Sequence, residues 1–221
     1  VKIEIVNDFS FNARVSKIEE KVYKIEIRHG CLCLENLIEN ITNRYTEDDL
    51  KSFWRFRKLN IFEKNAGDTY REELNQLFGS IILLHIFFHE CGHITAKYID
   101  KENGTYAEMQ PSDNGGYEKQ EQEMVADWLS TKFLYKSMFF ATIGTDKIDF
   151  EELLSILEQL TILYWLSLTI EFQIFDSVHT GDVPDYSLLT HPHPAVRLYY
   201  SLDAMQECIL DIFNIYGFDD M

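Results

Sequence analysis

The chain has 221 residues, 46% of them hydrophobic and 26% charged, which is enough apolar material for one well-filled core. Acidic residues outnumber basic ones by 37 to 20, for a formal net charge of −17, a balance that argues against nucleic acid or an anionic membrane as a partner. With no Pro/Gly/Ser-rich linker, internal repeat or low-complexity tract, a single domain over 1–221 is expected, an α+β fold with helices dominant.

Lys2 to Val6 and Val22 to Arg28 alternate apolar and charged positions, with Tyr23, Ile25 and Ile27 on one face, so residues 1–30 are expected to form a small sheet. Leu34, Leu37, Ile38 and Ile41 then show helical spacing. Tyr70 to Tyr98 is expected as one long helix and Glu118 to Phe140 as another, the latter with Met124, Val125, Trp128, Leu129, Phe133 and Leu134 at core positions and a charged opposite face. Phe150 to Asp176 and Pro194 to Asn214 complete a helical part over 70–214. The polar stretch Lys101 to Tyr117, broken by Gly104, Pro111, Gly115 and Gly116, is long enough for a functional loop and is expected either to wall a substrate cleft or to be plain surface slack. Leu160 to Ile170 is strongly apolar, but Glu158 and Glu171 bound it short of a spanning length, so a buried core helix is expected rather than a membrane segment. No N-terminal segment pairs positive charge with an apolar run, and Cys31, Cys33, Cys91 and Cys208 have neither metal-finger nor disulfide-framework spacing; both fit the cytoplasm.

The chemistry sits in three segments. His89-Glu90-Cys91-Gly92-His93 is an H-E-x-x-H pattern on a helix, where residues four apart share a face. The imidazoles of His89 and His93 can therefore bind one ion, with Glu90 directed toward water at that ion as general base. A catalytic zinc wants a third protein ligand and an open fourth position. On the next helix Glu123 and Asp127 are also four apart, flanking the small Ala126, which permits close approach of the two helices. Glu123 is the expected third ligand, and Asp127 is placed to accept the second ring N–H of a ligating histidine. Thr190-His191-Pro192-His193-Pro194-Ala195-Val196-Arg197 reads as a loop entering a helix, with Pro194 in its first turn. There His191 or His193 is expected to stabilise an oxyanion and Arg197 to orient a carboxylate. His85, one turn before His89, lies too far along the helix to reach the same ion and is expected to pack or support. Cys91 is off the ligand face and is expected in the core.

Leu84 to His93, Gln120 to Asp127, and Thr190-His191-Pro192 with Arg197-Leu198-Tyr199 together resemble the gluzincin metallopeptidases, and most closely the Lit-type phage-exclusion peptidases. Phe9 to Val15 also resembles the start of that family's N-terminal region. The resemblance implies a gluzincin-like fold, one zinc ion per chain held by His89, His93 and Glu123, and Glu90 as the base. It implies elongation factor Tu as the substrate, cut in the cytoplasm when a phage-derived activator engages the enzyme. Two other readings of the residues stand beside this one: a non-catalytic metal-binding regulator, and a zinc amidase with a different substrate.

Overall fold

The computed structural model describes residues 1–44, 70–96, 105–107, 116–144, 148–178 and 191–218. Four strands, β1 (Lys2–Val6), β2 (Ala13–Glu19), β3 (Val22–Arg28) and β4 (Thr105–Ala107), form one sheet in the order β1-β3-β2-β4. β1 pairs with β3 in parallel, and β2 pairs with both β3 and β4 in antiparallel fashion. β2 joins β3 through Glu20 and Lys21, and Lys21 takes the left-handed conformation that such a tight turn needs.

Five α-helices follow among the described residues: α1 (Glu35–Thr42), α2 (Tyr70–Thr95), α3 (Gly116–Ile143), α4 (Phe150–Val178) and α5 (Pro194–Tyr216). The expected helix positions hold, each within a few residues. β2 and β4 are the elements the apolar pattern did not reveal. Most of the stretch Lys101 to Tyr117, expected as a cleft wall or surface loop, lies outside the described residues, but β4 within it adds a strand to the sheet between α2 and α3.

One face of the sheet, carrying Ala13, Val15, Ile25 and Ile27, is buried, and β2 and β3 lie against α2. The helices share a core built from Leu74, Phe78 and Ile82 of α2, Leu134, Tyr135 and Phe139 of α3, Leu160 and Tyr164 of α4, and Cys208 and Ile212 of α5. All four cysteines are free. Burial pushes the Cys91 thiol up to about 11, so it stays protonated in its half-buried place beside that core.

Two expectations need correction. The apolar segment of α4 does not end at Glu158 and Glu171. Measured by length and composition, Phe150–Phe175 is long and apolar enough to cross a membrane, as is Glu72–Thr95 of α2, and half of each span's apolar window is buried inside the protein. The helix runs on because Glu158 faces solvent and Glu171, itself buried, is paired with His85. The core face of α3 is also only partly the one expected: Leu134 is buried as expected, but the other positions are not. Phe133 is 43% exposed, and Met124, Val125, Trp128 and Leu129 are only half-buried, whereas Gln122, Glu123, Ala126, Asp127, Ser130 and Thr131 are buried. Between Gln122 and Thr131 α3 turns a polar face inward because that face meets the histidines of α2.

Candidate metal centre

The contact between α2 and α3 depends on two small residues. A Cβ built on Gly92 would stand 2.9 Å from the Cα of Ala126 and 3.0 Å from its carbonyl oxygen, so only glycine lets the backbones meet there. Gly79, on the same helix, would gain a methyl that meets only Ile38 Cδ1, at 3.4 Å. Gly92→Ala is therefore expected to destabilise the protein by about 1–3 kcal/mol through overpacking, whereas Gly79→Ala should be neutral or stabilise by up to about 1 kcal/mol through helix propensity. Chemical denaturation of the two variants checks this opposition of sign; equal effects would remove the special role of the Gly92–Ala126 crossing.

That crossing brings His89, His93 and Glu123 together. His89 Nε2 lies 3.1 Å from His93 Nε2 and 3.1 Å from Glu123 Oε2, and His93 Nε2 lies 3.4 Å from Glu123 Oε1. Among the described residues these three form the one group of His, Cys, Asp and Glu donors that could hold a metal ion, and all three are buried. His191 Nε2 approaches the carboxylate from α5's entry loop, 3.3 Å from Glu123 Oε2, but stands outside that donor group. Glu90, between the two histidines in sequence, is fully buried.

Behind the donors is a chain of charge. The Nδ1–H of His89 donates to Asp127 Oδ1 at 2.7 Å, which fixes the tautomer and turns Nε2 toward the other donors. Asp127 in turn accepts two bonds from Arg197, Nε to Oδ2 and Nη2 to Oδ1, both at 2.7 Å. The guanidinium lies 5.1 Å and 5.3 Å from the rings of Phe172 and Phe175 on α4. Four segments thus converge: α2, α3, α4 and the start of α5.

Burial opposes charge at every one of these groups, and the neighbours decide the outcome. For Asp127, Arg197 outweighs burial and holds the carboxyl well below its usual range. For Glu123, burial is outweighed by His191, His93 and His89, so it too stays ionised. Burial of His89 is overcome by Asp127 and Glu123, which raise its pKa. His93 and His191 lack so close a counter-charge, and burial lowers both, His191 to about 4. The result is two fixed carboxylates facing imidazoles, the donor chemistry of a divalent-cation site.

His193 is placed elsewhere in function. It is exposed and caps α5, its Nδ1 accepting the N–H of Ala195 at 3.1 Å, so of the two histidines in the segment it is His191 that meets Glu123. Thr190 lies outside the described residues. Arg197 contacts Asp127 rather than the donor atoms and acts as a positioning group. His85 is buried, its Nδ1 3.0 Å and 2.9 Å from the two oxygens of Glu171, and Ser130 donates to its backbone carbonyl at 2.7 Å. It supports the α2–α3–α4 packing and is no part of the donor group. From sequence Glu171 reads only as the end of an apolar run and Gly92 has no role assigned, although a glycine deep in an apolar helix signals a close approach.

No protein-family model, curated protein or solved structure matches the chain.

Proposed function

We propose that this chain is a zinc-dependent endopeptidase of the gluzincin type. The observation that carries the reading is the convergence of His89, His93 and Glu123. Donors on a tetrahedral zinc ion, with bonds of about 2.0–2.1 Å, stand about 3.3 Å apart, and the separations here are 3.1, 3.1 and 3.4 Å. Three protein donors leave one position open, as in catalytic rather than structural sites.

A bound zinc ion would supply Lewis acidity, polarising a scissile carbonyl and lowering the pKa of water at the open position to about 7. The chain's own residues supply the rest. Glu90 accepts the proton of the attacking water on its carboxylate and returns it to the leaving amine. His191, neutral at pH 7 because its pKa is lowered to about 4, offers a ring N–H to the developing oxyanion. Asp127 and Arg197 keep the His89 ring in register. Glu90 favours this reading over a metal-binding regulator, because a buried glutamate beside the ligands serves no purpose in a purely structural site.

The substrate is a cytoplasmic protein, and by the Lit-type resemblance elongation factor Tu, cut when a phage-derived activator is present. With a chain charge of −17, long-range attraction to an acidic target is lacking, in keeping with a need for a third component. Purified protein should contain about one zinc per chain by elemental analysis. Incubation with a bacterial lysate, with and without chelator and a phage component, followed by mapping of new N-termini, should give one chelator-sensitive cut in elongation factor Tu. A cut in another protein alone would keep the mechanism and remove the target; full zinc content with no cleavage of any kind would favour the regulator.

A further inference from the structure

Among the described residues β1 lies at the edge of the sheet, paired with β3 alone. Its Ile3 and Ile5 lie in register with Ile25 and Ile27 of β3 and share their face of the sheet. On β3 those positions are 0% and 7% exposed, and on β1 they are 59% and 62% exposed. The outer edge of such a strand also presents backbone N–H and C=O groups along its length. On the opposite face the parallel pairing sets Lys2 beside Lys24 and Glu4 beside Glu26, like charges side by side.

We propose that β1 is a homodimer interface, in which two copies pair their β1 strands antiparallel about a two-fold axis through Ile3. In that register Lys2 of one copy faces Glu4 of the other, twice, and Val1 faces Ile5, while the two Ile3 residues meet on the axis. Lys2, beside Lys24 in its own chain, then gains an opposite charge across the axis, and Glu4, already 3.3 Å from Lys24 Nζ, gains a second, while Val1, Ile3 and Ile5, 59–68% exposed in the single chain, become an unbroken β-branched stripe. The two four-stranded sheets become one of eight strands.

Local charge does not oppose this contact. Residues 1–30 contain six basic and five acidic side chains, a net of +1, although the whole chain carries −17. At residues 1–30 two copies can therefore approach without strong local repulsion.

Sedimentation equilibrium of the full chain should give twice the 26.1 kDa chain mass. Lys2→Glu and Glu4→Lys should each weaken the dimer at least about tenfold, since each places like charges opposite one another at two symmetric points. The double variant Lys2→Glu/Glu4→Lys should restore it, and a mixture of the two single variants should form heterodimers, results that misfolding cannot produce. A monomer at all concentrations, or a dimer indifferent to both single charge changes, would overturn the proposal. The second outcome would place the contact on another surface, and a dimer weakened by either change but not restored by the double variant would equally remove the antiparallel Lys2–Glu4 register.

Discussion

Glu90→Gln is expected to leave the fold and the zinc content of the protein unchanged while lowering turnover by about 10²- to 10⁴-fold. The substitution keeps the volume and shape of a fully buried side chain, so packing is conserved, but the amide cannot take a proton from the attacking water. The useful comparison is Glu123→Ala, which removes one of three donors and should lose the metal as well as activity. Zinc analysis and cleavage assays on the two variants separate proton transfer from metal binding. Cleavage by Glu90→Gln at the parent rate would dismiss the general-base role, and full zinc occupancy in Glu123→Ala would remove that carboxylate from the site.

Arg197→Ala should be the most damaging change to stability among the groups around the site. It leaves the Asp127 carboxylate, 0% exposed, without the two hydrogen bonds that hold it ionised, and breaking a buried pair from one side costs about 3–5 kcal/mol. The pH dependence has a definite sign. Asp127 has a folded pKa depressed below its unfolded value of about 3.9, so its stabilisation is complete above that value and is lost as pH falls through the depressed folded value. Without Arg197 the depression shrinks and acid unfolding should begin at higher pH. Denaturant titrations of parent and variant between neutral pH and pH 3 check both points; parallel curves would mean that Asp127 draws its stabilisation from His89 instead.

The donor set was legible in the sequence because a helix enforces it. His89 and His93, and then Glu123 and Asp127, are pairs four residues apart, a spacing that puts two side chains on a common helix face. Arg197 was legible for a similar reason, since Pro194 marks the helix start and fixes which turn the arginine leaves. The inward face of α3 was not legible, and the cause is general. Apolar periodicity locates a core, but a helix that carries a site inverts the pattern, with Glu123, Asp127, Ser130 and Thr131 buried and Phe133 left outside. β4 was hidden because three residues of strand within a polar stretch have too little pattern to register. Glu171 looked like the polar end of an apolar run; its role depends on His85, 86 residues away in sequence, and pairing at that distance leaves no local trace.

The Asp127–Arg197 clamp sets the order in which the surroundings of the donor group can be completed. As the chain leaves the ribosome, α2 and α3 emerge with both histidines and Glu123, but the arginine that keeps Asp127 charged, and His191 beside Glu123, arrive only with the start of α5. Until that last helix docks, the His89 ring has a carboxylate partner with no counter-charge. The orientation of His89 is thereby completed only once α5 docks, which couples any metal binding at the donor group to the folding of that helix.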